Sequence, residues 1–297
     1  MAIQPANVGP QGLDIDWTAL KRHAGPVVVM LHGFKFSPTN PAHSPHKHIL
    51  SPTPVSCHWK AKSWPVSLGL EQHPDVLGIP LGWEARGSIW NAHANATQTG
   101  AALARLVQGL QAQVPGRRIS LMGHSLGARV ILKALTHLDG CSVHRAVLLA
   151  AAAFQSEAHA AIDATAGRTC EIMNVTSREN DFYNFMLETL IAKPCPKDRG
   201  LGMGLGTAPA RWVDVPLDSA RTLQALAGLD FRIAPAKGRI CHWSTYLRPG
   251  VFDLYRAFLI TPDALPISIL RSVLSELRSH RRSHLLRLPL HAQGQTS

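Results

Sequence analysis

The feature that most constrains the fold of this chain is a short turn between two apolar segments. An apolar run over 119–122 leads into Gly123-His124-Ser125-Leu126-Gly127, and an uninterrupted helix-like segment continues to Leu138. A turn this sharp pushes the residue at its apex toward positive φ and packs the strand tightly against the helix, so the flanking positions tolerate almost no side chain. The spacing predicts that Ser125 stands at the apex and that Gly123 and Gly127 provide the space.

This turn also has a chemical consequence. With Ser125 at the apex, its hydroxyl stands clear of the sheet, and the backbone N–H of Leu126 points from the start of the helix at any negative charge that develops nearby. A Gly-x-Ser-x-Gly pattern also arises by chance in turns. The apolar run before it and the helix after it favour the interpretation as a reactive serine.

Apolar runs alternate with helix-like segments along most of the chain. This alternation predicts a mostly parallel central sheet with helices on both faces, which is an α/β fold. The predicted strands cover 26–31, 75–81, 118–124, 144–150 and 170–176, and the predicted helices cover 91–114, 126–138, a segment ending near 166, 219–229 and 251–259. Residues 1–25 are predicted to form a polar entry with one short helix over 17–23.

Composition limits the class of protein. With 45% apolar and 16% charged residues in 297, the chain can bury a large core, and we expect a single domain over 1–262. The net charge is +11, but the basic residues are scattered, which favours a solvated basic surface over nucleic-acid binding. No apolar run is long enough to cross a membrane or to act as a secretion signal. Five widely spaced cysteines without a Cys-x-x-Cys pair indicate a reducing compartment, so a cytoplasmic protein is expected.

A long irregular stretch, Lys35 to Trp64, follows the first strand. Loops of this length inside compact domains are usually functional, and we interpret this one as a lid or a wall of the binding site. A second interpretation is a zinc site, because several nitrogen and sulfur ligands fall in the loop, although their spacing matches no standard zinc module. The potential ligands are His43, His46, His48, Cys57 and His58.

A glycine-rich run over 200–206 neither follows a predicted strand nor precedes a helix with a Lys-Ser/Thr pair, so it is not typical of a phosphate loop. We interpret it as a mobile flap near the site.

The turn around Ser125 resembles the nucleophile elbow of the α/β-hydrolases, and the form Gly-His-Ser-Leu-Gly is similar to that of lipases and esterases. The resemblance extends over roughly residues 26–259. It implies Ser125 as the nucleophile and the backbone N–H groups of Leu126 and Phe34 as the oxyanion hole, since Phe34 follows the His32-Gly33 pair after a strand. It implies no metal and no organic cofactor.

The resemblance also implies a histidine base and a carboxylate that orients it. His242 lies after the last predicted strand and before the final helix, where the order Ser, Asp, His places the base. Asp181 lies after the strand 170–176, at the edge of the sheet where catalytic groups gather, and is the predicted acid. Glu179 is the competing candidate. Asp181 could instead act only as the cap of the helix that follows.

The implied activity is the hydrolysis of small acyl esters through an acyl-enzyme, without nucleic acid or a membrane span. Thioesterases, peptidases and acyltransferases use the same machinery, and a non-catalytic binding protein could keep the same fold. Several aromatic side chains are candidates for an apolar acyl pocket, although such residues are more often part of the core. They are Trp83, Trp90, Phe182, Phe185 and Trp243.

Residues 263–297 form a basic C-terminal tail. The stretch Asp263-Ala264-Leu265-Pro266-Ile267-Ser268 is also what a common sequencing-adapter end encodes in one frame. One hypothesis is that the tail results from an error in the assembly of sequencing reads and lies outside the native fold. The alternative is a genuine C-terminal helix over 267–286, whose leucines would pack against the sheet.

Overall fold

The computed structural model describes residues 1–55, 58–140 and 142–275. The predictions for Cys57 and for residues 276–297 therefore lie outside the described residues. The strands are β1 (Ala2–Ile3), β2 (Ala6–Gly9), β3 (Gly12–Asp14), β4 (Val27–Leu31), β5 (Leu77–Trp83), β6 (Ile119–His124), β7 (Arg145–Leu149), β8 (Glu171–Thr176) and β9 (Trp212–Pro216). The helices are α1 (Trp17–Lys21), α2 (Trp64–Ser67), α3 (Ile89–Gln113), α4 (Leu126–Leu135), α5 (Gln155–Asp163), α6 (Asp181–Leu190), α7 (Ala220–Ala227), α8 (Ser244–Leu247), α9 (Val251–Leu259) and α10 (Ile267–Ser275).

The described strands form one sheet in the order β3-β2-β5-β4-β6-β7-β8-β9, with β1 also paired to β5. All pairs are parallel except β2 with β3. The central strands β4, β6 and β7 are buried throughout, as continuous apolar runs in a covered parallel sheet should be. The predicted mostly parallel sheet is confirmed.

Alternate residues of the strands contribute to two separate cores. Val27 and Val29 of β4 pack in the core that contains residues of α3, α4 and α5. Val28 and Met30 of the same strand pack in the core that contains residues of α2, α7, α9 and α10. Because neighbouring side chains of a strand point to opposite faces, these cores lie on the two sides of the sheet. The predicted helices on both faces are confirmed.

The structure adds strands that the apolar pattern does not predict. Residues 1–25 contain the short α1, but also three edge strands, β1 to β3, which are too short to show an apolar run. At the other edge, β9 follows the glycine-rich run. This run forms a buried turn in which Leu201 donates its N–H to Ala153 O, so the stretch is anchored to the core. The prediction of a flap there is wrong.

The first part of the C-terminal segment packs against the domain. Ile267, Leu270 and Leu274 of α10 are buried, and Arg271 donates hydrogen bonds to Pro209 O and Trp212 O. Residue 262 is therefore not a boundary of the packed core. In the described part of the chain no single helix has the length and apolar character of a membrane span, and α9 with the segment 262–274 passes that test only as a pair bent by 112°.

Candidate active site

The turn between β6 and α4 has the strained geometry that its sequence predicts. Ser125 has φ 57° and ψ −120°, and its N–H donates to Leu149 O at 2.9 Å. A Cβ on Gly123 would lie 2.6 Å from Gly127 C and O, and a Cβ on Gly127 would lie 2.5 Å from His32 O. Since real side chains essentially never approach backbone this closely, both positions require glycine.

Two backbone N–H groups flank the serine. Leu126 is the first residue of α4, and Phe34 follows Gly33, whose added Cβ would lie 2.8 Å from Ser125 Cβ. The loop after β4 therefore passes directly beside the serine. Neither N–H donates to a protein acceptor among the described residues. Both are thus available for an external oxygen, as an oxyanion hole requires.

His32 fixes the start of this loop. Its Nε2 accepts a hydrogen bond from Trp83 N at 3.1 Å, so the proton is on Nδ1, which donates to Gly33 O at 2.9 Å. The indole N–H of Trp83 donates to His32 O. Complete burial lowers the pKa of His32 to about 3, which keeps the ring neutral. Trp83, a predicted residue of the acyl pocket, is fully buried. It instead holds His32 in place through these two hydrogen bonds.

His242 lies next to the nucleophile turn. His124, the residue before Ser125, donates from Nε2 to His242 O at 3.0 Å, and the two rings are 4.6 Å apart. On its other side the His242 ring stacks on Tyr183 at 4.5 Å. The structure thus brings together the predicted nucleophile segment and the predicted base, which are 117 positions apart (242 − 125 = 117).

The Nδ1 atom of His242 lies 2.6 Å from Asn180 Oδ1. An amide oxygen only accepts, so Nδ1 carries the proton and Nε2 keeps a free lone pair, the state in which a histidine can act as a base. Burial, with smaller contributions from His124 and Lys60, lowers the pKa of His242 well below its usual value. The neutral ring is therefore the dominant form at neutral pH.

The two acidic candidates have different surroundings. Glu179 pairs with Arg248 at 2.5 Å, and both side chains are buried. Its backbone oxygen also accepts from Cys241 N, which ties the turn before α6 to the segment that carries His242. Glu179 therefore has a structural partner. Asp181 is the first residue of α6 and is buried, directly after the Asn180 that contacts the ring.

The long loop reaches across to the segment of His242. The Lys60 ammonium lies 3.1 Å from the centre of the Trp243 ring, and Trp59 packs edge-on against the same ring. Further back in the loop, His48 contacts the rings of Phe36 and His58. The loop thus forms an aromatic wall beside the residue that follows His242.

The described histidines of the long loop do not form a metal site. Within 1–55, 58–140 and 142–275, no group of three or more His, Cys, Asp or Glu side chains is placed to hold a metal ion. His46 instead contacts Asn7 Oδ1 at 2.8 Å. Of the other predicted acyl-pocket residues, Trp90, Phe182 and Phe185 are exposed, and Trp243 is half-buried in the aromatic wall.

Sequence comparison gives a family for the centre of the chain. Residues 80–177, which run from β5 to the end of β8 and include Ser125, match the family described as Alpha/beta hydrolase. With the parallel sheet and the strand-serine-helix turn, this match shows an α/β-hydrolase fold. Among curated proteins, no sequence matches the chain.

Structure comparison finds more distant likenesses. The catalytic core domain of acetyl xylan esterase from Trichoderma reesei is 14% identical with a TM-score of 0.31, over 44% of this chain and 65% of that one. The alignment thus spans less than two thirds of that domain. Another acetylxylan esterase is 12% identical with a TM-score of 0.36, over 84% of this chain and 99% of that one. A Trichoderma reesei cutinase is 13% identical with a TM-score of 0.33, over 80% and 75%.

Proposed function

We propose that the protein is a serine hydrolase that cleaves small acyl esters. The observation that carries this proposal is the strained backbone of Ser125 between β6 and α4, with two unpaired N–H groups beside it. Such strain costs about 1–3 kcal/mol and persists only where the surrounding structure enforces it. Here the glycine contacts enforce it, and they hold Ser125 directly after the end of β6.

The mechanism follows from the neighbours of Ser125. His242 Nε2 takes the proton of the Ser125 hydroxyl as Oγ attacks the ester carbonyl carbon, and the N–H groups of Phe34 and Leu126 stabilise the oxyanion. The protonated ring then gives its proton to the leaving alcohol. Water attacks the acyl-enzyme with the same base, which releases the acid and restores Ser125.

Two adjacent residues support the base in this proposal. Asn180 contacts Nδ1 and fixes the tautomer and orientation of the ring. Asp181, the predicted acid, begins α6 one residue further and is proposed to stabilise the positive charge that forms on the ring. Asn180 is not evident from the sequence, because an amide carries no signal of catalysis until a histidine is found beside it.

A fluorophosphonate probe tests the proposal, since it modifies activated serines and can be located by peptide mass spectrometry. The folded protein is expected to carry the adduct on Ser125, and the heat-unfolded protein to carry none. A series of 4-nitrophenyl esters from acetate to decanoate then measures the preferred acyl length. Absence of both labelling and ester turnover would favour a non-catalytic binding protein.

The role of Asn180 can be tested by pH dependence. Asn180→Asp places a carboxylate on the ring and is expected to raise the pKa of His242 by about one unit or more. A base must be unprotonated, and burial lowers the pKa of His242, so we expect the acidic limb of kcat/KM well below pH 6.5 in the wild type. In Asn180→Asp this limb should move to higher pH.

Two neighbouring variants serve as controls for this measurement. Asn180→Ala removes the contact without adding charge, and should lower kcat without moving the limb upward. Asp181→Asn removes the adjacent carboxylate and should lower kcat if Asp181 stabilises the charged ring. An unchanged limb in Asn180→Asp would show that residue 180 does not face the base during catalysis.

A further inference from the structure

A cavity of about 360 Å³ lies directly beyond the oxyanion loop. Lys35 and Phe36, the two residues that follow Phe34, form one side of it, and the segment from Pro41 to His48 forms the other. Phe36 also contacts the ring of His32. His32 holds the start of the loop that carries Phe34, so this side of the cavity is in contact with that loop. A group bound here would be close to an ester carbonyl held by Phe34 N–H.

The charged side chains that line this cavity are all basic. Among the described residues that line it, the ionisable ones are Lys35, Lys47, His43 and His48, and none is an aspartate or glutamate. Glu84 reaches the same loop through the Ser37 hydroxyl, but also accepts from Arg86 N and does not line the cavity. Lys60 is close enough to Lys35 for their repulsion to contribute to lowering the pKa of Lys60. The cavity therefore has an unbalanced positive potential.

His48 provides a second feature of the same cavity. Its Nδ1 is buried and has no hydrogen-bond partner among the residues that the structure describes. A buried polar atom without a partner costs free energy, which a hydrogen bond from this atom to a bound ligand would recover. Burial, His58 and Lys60 lower the pKa of His48 to about 4, so the ring is neutral at pH 7 and contributes a hydrogen bond while the lysines contribute the charge.

We propose that this cavity binds an anionic group of the substrate, such as a carboxylate or phosphate, so that the preferred substrates are esters with a negative charge a few atoms from the scissile carbonyl. This inference rests on the proposed function and names its substrate class. Lys35 and Lys47 attract the anion, and His48 and the Ser44 hydroxyl complete its hydrogen bonds. Because both lysines are exposed at the rim, the attraction should weaken as salt is added.

A pair of esters that differ in one group tests the proposal. 4-Nitrophenyl butyrate and mono-4-nitrophenyl succinate have acyl chains of equal length, ending in a methyl and a carboxylate group. The ratio of kcat/KM for the succinate over the butyrate should fall about tenfold in the double variant Lys35→Gln/Lys47→Gln, and it should also fall in the wild type when salt is raised from low to high concentration. The matched control Lys21→Gln/Lys237→Gln removes two exposed charges elsewhere and should leave the ratio unchanged.

Binding is measured separately on Ser125→Ala, by titrating succinate and inorganic phosphate and following the histidine ring signals by NMR. Histidine signals that shift on titration, but no longer shift when Lys35 and Lys47 are replaced, support anion binding in the cavity even if no ester is cleaved. Succinate bound in preference to phosphate would identify a carboxylate group, and the reverse a phosphate group. If esters are cleaved but neither the ratio nor binding depends on the lysines, the anion site is refuted while the proposed hydrolase activity stands.

Discussion

Replacing Ser125 by alanine is expected to lower kcat/KM for 4-nitrophenyl esters by about 10⁴-fold or more, to the level left by the oxyanion N–H groups and substrate binding alone. The variant removes the hydroxyl oxygen that attacks the carbonyl carbon in the proposed mechanism, and alanine offers no nucleophile in its place. The measurement is steady-state hydrolysis together with loss of fluorophosphonate labelling.

The fold of this variant should be intact. Alanine and serine share a Cβ, so the strain at φ 57° is retained and the free energy of unfolding should change by about 1 kcal/mol or less. Ser120→Ala is a matched control, since Ser120 is a buried serine of β6, the strand that precedes Ser125, and it donates a hydrogen bond to Leu259 O. This variant should keep activity. Comparable activity in Ser125→Ala and Ser120→Ala would exclude Ser125 as the nucleophile.

The second large effect is expected for Gly127→Ala. The new Cβ would lie 2.5 Å from His32 O and 2.6 Å from Leu31 O, both backbone atoms of the central strand and its loop. Relieving the overlap must separate α4 from β4, and we expect a loss of about 3 kcal/mol in the free energy of unfolding. This corresponds to a fall in Tm of roughly 6 to 12 °C.

Activity should fall as well, because the displaced His32 carbonyl belongs to the loop that presents Phe34 N–H. A misplacement of about 1 Å can cost about 100-fold in rate. Gly238→Ala is the matched control, since an added Cβ there meets nothing within 4 Å and the backbone is not left-handed. Equal Tm values for Gly127→Ala and Gly238→Ala would show that α4 and β4 can separate without cost.

The sequence was most informative where one local pattern fixes both backbone and chemistry. The glycines around Ser125 predict the close approach of β6, α4 and the β4 loop, and the apolar runs predict the central parallel strands. It was least informative at the edges of the sheet. β1, β2 and β9 are short and depend on pairing with β5 or β8, so their own residues carry little periodicity.

The surroundings of the candidate base could not be derived from local patterns. Position and chain order led to His242 and Asp181. The oxygen that accepts the hydrogen bond from His242 Nδ1, however, is Oδ1 of Asn180, 62 positions away from the histidine. Glu179 satisfied the same sequence criteria as Asp181, yet its carboxylate pairs with Arg248. Only the fold decides which of three consecutive polar side chains faces the ring.

The sequence by itself determined the parallel α/β sheet, the strained serine and the need for glycine around it, because strand periodicity and steric exclusion act over a few neighbouring residues. The tertiary structure decided the partner of His242, the anchoring of the loop after β4 by His32 and Trp83, and the basic cavity beside that loop. These features depend on side chains that are far apart in sequence and meet only when the sheet and its loops assemble.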